Sequence, residues 1–254
     1  MRIVKFVANA GVASRRASER LIADGRVQVN GETVRDPARD VSAEDHVTVD
    51  GDAVTLPNAA ELAVYAVNKP AGVVSTASDP QRRPTIVSLV SSSRRLYPVG
   101  RLDIDATGLM LLTNDGELAH RLTHPSFEVP KTYRAVVAGG PVGERELRLL
   151  RDGVALEDGL TAPAKARRLA PDTIELTIHE GRNRQIKRMC EAIGHRVLAL
   201  ERTAFGPLAL GELRSGQARR LSSGEVASLS AAAGPSGRRA APGSRSALCR
   251  RTRA

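Results

Sequence analysis

Residues 97–125 read YPVGRLDIDATGLMLLTNDGELAHRLTHP. Leu109-Met110-Leu111-Leu112-Thr113 is an unbroken apolar run of strand length, and it reads as a buried strand. Gly116 to Leu122 then has the composition and spacing of a helix. The segment before the strand, Val99 to Gly108, is a loop flanked by glycines that holds Asp103 beside Arg101. An acid in a loop that leads straight into the core can be held rigid in a cleft. A carboxylate so held serves as nucleophile or base. The competing explanation is an Asp that caps a turn. Asp105 and Asp115 contend for the same role, but each has a local turn explanation.

Working outward, Leu62 to Asn68, Thr132 to Val137, Thr173 to Ile178 and Val197 to Leu200 are β-branched or Leu-rich and read as strands. Arg182 to Ile193 reads as a second helix. Crossovers mixed with hairpins predict an α+β fold around a mixed sheet over residues 62–230. PNAAE at 57–61 is a short linker, and residues 1–56 have a different pattern. There, Arg2 to Ala10 carries apolar residues at helical spacing and Gly11 stops it. Ser14 is a good N-cap for a helix from Arg15 to Asp24, which Gly25 ends. Arg26 to Val29 alternates like a strand, Asn30-Gly31 signals a tight turn, and His46 to Asp50 alternates again. Two short helices followed by a small sheet make a compact module. At the other end, residues 231–254 carry six Arg, no acid and little to bury, and are expected to be a disordered basic tail.

The chain is 254 residues with 38 Lys and Arg against 28 Asp and Glu, a formal charge of +10 and a pI of about 10.5. Such a balance anticipates a polyanionic partner, and nucleic acid is the commonest. Aromatics at 2% argue against a single-strand binder built on a ladder of stacked rings. Cys190 and Cys249 are too few and too far apart for a disulfide framework, and no CxxC pair exists for zinc. There is no GxGxxG or GxxxxGK[ST] loop. No apolar run reaches membrane length and no signal-peptide core is present, so the chain is expected to be soluble and cytoplasmic. Residues 1–30 hold six basic and two acidic side chains, whereas residues 31–56 hold two basic and seven acidic.

The order of pieces in VANAGVASRRASERLIADGRVQVNGETV resembles the small RNA-binding domain first seen in ribosomal protein S-four. By that resemblance Arg15, Arg16 and Arg20, which cluster on one helix, would touch RNA phosphates. The opening stretch, together with Asn68-Lys69-Pro70-Ala71-Gly72-Val73-Val74-Ser75-Thr76, Lys131-Thr132-Tyr133 and the EGRNRQIKRM of residues 180–189, is similar to the bacterial ribosomal-RNA pseudouridine synthases of the RsuA/RluB type. The resemblance implies that Asp103 is the catalytic aspartate and that Tyr133 packs on the uracil. It puts Lys187 at the position of the basic residue that pairs with the aspartate, with Arg184 as runner-up. Arg101, Arg182, Arg184 and Arg188 would then contact RNA, and Lys69 would be structural or RNA-facing. The isomerisation is redox-neutral, so no cofactor and no metal are expected. The implied partner is ribosomal RNA or a precursor of a ribosomal subunit, met by a monomer, and the GRNRQ form with the basic tail leans toward the large subunit. One departure is Ala106, where the family usually has Thr, which puts the geometry of the loop around Asp103 in question. A non-catalytic RNA binder on the same scaffold has no reason to keep Asp103, Tyr133 and Lys187 together. A glycosidase acting on small substrates would leave the N-terminal module unexplained.

Overall fold

The computed structural model of the chain describes residues 1–42 and 44–234. The N-terminal module consists of α1 (Ile3–Asn9), α2 (Arg15–Ala23), β1 (Val27–Val29), β2 (Glu32–Val34), β3 (Val47–Val49) and β4 (Asp52–Val54). The side chain of Ser14 accepts from the Ala17 N–H and so starts α2. The four strands pair antiparallel in the order β2-β1-β3-β4, and Asn30, at a φ of 53°, and Gly31 make the tight turn. Ile3, Phe6 and Val7 of α1 and Ile22 of α2 close over Val27, Val29, Val47 and Val49. Every second residue of β1 and β3 is therefore spent on one small core.

The larger region follows a single turn of 3-10 helix at Ala59–Glu61. Its strands are β5 (Val64–Lys69), β6 (Tyr97–Val99), β7 (Thr107–Thr113), β8 (Lys131–Ala138), β9 (Ala155–Leu156), β10 (Gly159–Leu160), β11 (Lys165–Ala170), β12 (Thr173–Ile178), β13 (Arg196–Phe205), β14 (Leu208–Ala209) and β15 (Ala218–Arg220). Its helices are α3 (Gly116–Thr123), α4 (Glu144–Asp152), α5 (Gln185–Ala192) and α6 (Ser223–Ala232). The main sheet runs β11-β12-β8-β13-β7-β5-β15, with β14 paired to β13 and β6 to β7. Neighbours are antiparallel except β13 and β7, which are parallel and share only Glu201↔Thr107 and Arg202↔Gly108. The sheet is mixed, as the α+β reading expects.

The run at 109–113 explains the layering. Met110 and Leu112 point into one core with Tyr133, Leu150, Ile186 and Met189, while Leu109 and Leu111 point into another with Phe205, Leu118, Leu122 and Leu229. Successive strand residues face opposite sides, so a strand with no polar position is covered on both faces. Helices α4 and α5 lie over the first face, α3 and α6 over the second. Truncating Leu111 or Leu112, both fully buried, to Ala would cost about 2–5 kcal/mol.

Two expectations need correction. The helix expected over Arg182 to Ile193 begins only at Gln185, because Arg184 is left-handed (φ 47°, ψ 33°) and turns the chain before the helix starts. Residues 231–233, expected in the tail, are ordered into the fold, because α6 continues to Ala232 and Ala233 is buried with Leu229. A capping box between Ser222 and Glu225 starts that helix, and the Arg121 guanidinium donates to the carbonyls of Ser230 and Gly234 at its end. From residue 235 the expected tail lies outside the described residues. Among the described residues no helix is long and apolar enough to cross a membrane.

Candidate active site

Asp103 stands in the loop between β6 and β7, and that loop is fastened from beneath by the segment 68–76. Ser75 Oγ donates to the Leu102 carbonyl at 2.7 Å and accepts from the Leu102 N–H at 3.1 Å. The N–H of Gly72 donates to the Ile104 carbonyl at 2.8 Å. Lys69 is fully buried, and its ammonium donates to the carbonyls of Ala106, Pro70 and Ile104 at 2.7, 3.0 and 3.2 Å. An ammonium has three donors and no acceptor, so three carbonyl oxygens satisfy it. Burial pulls Lys69 down to about 8, and the charges of Asp105 and Asp103 oppose that fall. This burial and these three backbone partners fit the structural one of the two sequence readings of Lys69. Ala106 is buried, and its N–H closes the turn onto the Asp103 carbonyl. Thr107, next along, donates its hydroxyl to the Leu200 carbonyl. The loop is therefore held through backbone groups, with no side-chain hydrogen bond required at 106.

Gly108 lets this arrangement close. Its φ is 100°, and a Cβ there would collide with the Arg202 backbone. The close approach brings β13 beside the loop. Arg202 is 1% exposed, and its Nε donates to the Leu109 carbonyl at 2.6 Å. Its guanidinium carbon lies 5.1 Å from the centroid of the Phe205 ring. On β8, Tyr133 is directly opposite Arg202 and buried. Nearby, Lys131 donates to the Val129 carbonyl and faces the same Phe205 ring at 5.4 Å. Burial first, and Arg202 second, draw Lys131 down to about 8.

These side chains enclose one cavity of about 310 Å³, with Asp103, Tyr133, Lys131 and Arg202 in its wall and Arg101 and Arg184 exposed at its rim. Lys187 projects from α5 with its side chain 8% exposed. Its ammonium is 2.6 Å from both carboxylate oxygens of Asp105 and 3.7 Å from Oδ2 of Asp103. The expected pairing with Asp103 is thus the longer contact, and Asp105 is the nearer partner. Hydrogen bonding to Lys187 holds the Asp105 carboxyl below the usual carboxylate range. Asp105 is therefore more than a turn residue. Asp115, by contrast, is the N-cap of α3 and accepts from the Glu117 and Leu118 N–H groups, as its turn reading requires.

The remaining arginines divide. Arg15, Arg16 and Arg20 are exposed on α2, with no hydrogen bond or ion pair from their side chains among the described residues. Arg188 instead makes a double contact with Asp158 at 2.9 and 3.0 Å. Arg182 donates to Glu180 and to the carbonyls of Gly159 and Leu160. Both brace the β9–β10 hairpin, so their charges are already engaged. Reading the sequence missed Ser75, Lys131 and Arg202 as parts of the site. Lys131 and Ser75 lay inside quoted motifs, whereas Arg202 follows Glu201 in a strand and carries no motif of its own.

Comparison with known proteins follows the same division of the chain. The pattern that defines the RNA pseudouridylate synthases matches residues 63–192, and that of the S4 domain matches residues 1–47. The ribosomal large subunit pseudouridine synthase B of Bacillus subtilis is 46% identical over 239 residues, 91% of this chain and 96% of that protein. An uncharacterized RNA pseudouridine synthase of Mycobacterium tuberculosis is 45% identical over 92% of this chain and 94% of its own length. The crystal structure of a pseudouridylate synthase superposes with a TM-score of 0.67 at 35% identity, covering 90% of this chain and 99% of that one.

Proposed function

The chain belongs to the RNA pseudouridylate synthase family, and from that premise we propose that it isomerises one uridine of large-subunit ribosomal RNA, with Asp103 as the acting carboxylate. The observation that carries the reading is the placement of Asp103 in the wall of a recessed cavity beside Tyr133, its loop held by buried Lys69 and Ser75. The names of two relatives, from Bacillus subtilis and Pseudomonas aeruginosa, support the large subunit as the source of substrate.

A base stacked in RNA cannot reach a carboxylate so placed. The uridine must leave its stack, which costs a few kcal/mol and is cheapest in a loop or bulge. Residues 1–56 hold the RNA through Arg15, Arg16 and Arg20, and residues 62–230 do the chemistry. Tyr133 packs on the uracil once it is inside. Asp103 then attacks the nucleoside or removes a sugar proton. The bond from N1 to C1′ breaks, the base turns, and C5 bonds to C1′. The C5 proton leaves and N1 regains one, so the product is an isomer and no electrons are exchanged. Lys187, within 3.7 Å of Asp103 and closer to Asp105, keeps both carboxylates compatible in one small space. Arg101 and Arg184 at the rim meet the backbone of the displaced nucleotide. The enzyme acts in the cytoplasm as a monomer, without cofactor. Pseudouridine mapping of both ribosomal RNAs from cells with and without the gene tests this directly. One large-subunit uridine should lose its modification in the deletion; an unchanged map would refute the assignment.

A further inference from the structure

Arg202 is the most thoroughly buried cation of the cavity, and nothing in the steps above uses it. Its Nε is satisfied by the Leu109 carbonyl, but its Nη2 is buried with no hydrogen-bond partner among the described residues. Among the described residues no carboxylate lies within ion-pair distance of it, and its neighbour Glu201 is taken by Arg134 at 2.6 Å. A second cation, Lys131, shares the Phe205 ring, so the two positive groups repel one another across an apolar floor. A buried guanidinium left unpaired is costly, and its cost is recovered only when something electron-rich arrives. Arg202 is 1% exposed but forms part of the cavity wall, so a phosphate that stays at the surface does not meet it, whereas a base that has entered packs against that wall. What reaches it is whatever enters the cavity wall it shares with Asp103 and Tyr133.

We propose that Arg202 is a catalytic residue whose free guanidinium nitrogen donates to a carbonyl oxygen of the uracil as the base detaches. When the bond from N1 to C1′ breaks, its electron pair leaves with the ring and spreads onto the two carbonyl oxygens. The charge is cancelled when C5 bonds to C1′, its proton departs and N1 is reprotonated. A fixed donor in the cavity wall that meets charge existing only between those events lowers the barrier without tightening the binding of uridine. Gly108 serves this role too, because a side chain there would push the Arg202 backbone away. This role rests on the proposed site around Asp103 and adds to it the group that carries the leaving base.

The test compares Arg202→Gln and Arg202→Lys with Asp103→Asn on two RNAs, one with uridine and one with 5-fluorouridine at the target. Single-turnover rates, RNA affinity and melting temperature are read together. Fluorine stabilises the uracil anion, so dependence on Arg202 should shrink on the second RNA. Arg202→Gln should lose about 10²–10³-fold in rate on uridine, clearly less on formation of the rearranged fluorinated product, and keep its RNA affinity within twofold. Arg202→Lys, which keeps the charge, should fold like the parent and show the same pattern with a smaller loss. If Gln at 202 prevents folding, the Lys variant alone decides by its ratio between the two RNAs. Equal losses on both RNAs, a rate within threefold of the parent's, or a change confined to affinity would overturn the proposal. Asp103→Asn should be inactive on both RNAs. An active Asp103→Asn would instead bring down the site itself, whatever Arg202 does.

Discussion

The cavity around Asp103 and the arginine face of α2 are both rich in positive charge, yet they spend it in opposite ways. Lys69, Lys187 and Arg202 are each at most 8% exposed and each already donates to a carbonyl or carboxylate. Arg15, Arg16 and Arg20 are exposed and donate to nothing among the described residues. Desolvated cations are worth more per contact but can serve only what is brought to them. Solvated ones act at long range on any phosphate and weaken with salt. Composition counts the two kinds alike, and only burial separates them. Arg182 and Arg188 are a third kind, placed near the cavity but committed to the β9–β10 hairpin.

The comparison breaks first at Asp103. Asp103→Asn should lower the single-turnover rate by about 10³-fold or more while leaving RNA affinity within twofold, since it removes charge and keeps shape. A variant with near-parental rate would remove the catalytic half of the contrast. Lys187→Met should follow with a loss of about 10²-fold in rate and a smaller loss of affinity, because its partners are carboxylates and not phosphate. Equal losses in the two quantities would place Lys187 with the arginines of α2. Replacing Arg15, Arg16 and Arg20 together by Ala should flatten the log–log salt dependence of RNA binding by about two to three units. The rate at saturating RNA should stay within threefold of the parent. Arg188→Ala sharpens the contrast, because it should leave that slope unchanged and lower the melting temperature instead. A slope reduced by about one unit would return Arg188 to the RNA-binding group.

The smallest effect concerns Asp105. Its carboxyl is lowered by Lys187, so the folded chain binds fewer protons there than the unfolded chain as acid is added. The stabilisation is fully present above the ordinary carboxylate range and is lost as pH falls through the lowered value. Since Asp105 is largely exposed, the gain is at most about 1 kcal/mol. Denaturant titrations of Asp105→Asn and the parent should differ at pH 7 and draw together as the pH falls below the ordinary carboxylate range. A difference that persists in acid would show that Asp105 acts through something other than its charge.

Much of the fold could be read from the chain because its strands announce themselves. Thr173 to Ile178 matches β12 to the residue, and the run at 109–113 needed only Thr107 and Gly108 added in front. Helix α4 went unread although Leu147 and Leu150, its buried residues, stand at helical spacing. Helix α6 also went unread, although Ser222 and Glu225 spell its capping box. Both signals were available. The start of α5 was not, because nothing in Arg182-Asn183-Arg184 marks Arg184 as the left-handed turn. At the site, Asp103, Tyr133 and Lys187 came from motifs, and each borders the cavity or its aspartates. Lys69 was ambiguous and Arg202 invisible for one physical reason. Their partners are backbone carbonyls, which every residue has, so no pattern of side chains reveals that a cation is being used inward.

The seam between β7 and β13 has a wider consequence. Only two residue pairs join the halves of the sheet there, Glu201↔Thr107 and Arg202↔Gly108, before the strands part company. The cavity is lined from both sides of this seam, by Ala106 just before β7 and by Leu200, Arg202 and Phe205 of β13. Further pairing along this line would draw these two walls together beside Asp103. The short seam leaves those walls joined by only two residue pairs, less of the ladder than holds the neighbouring strands together. Substitutions that lengthen the seam should trade turnover for rigidity even when they alter no charge and touch no reacting group.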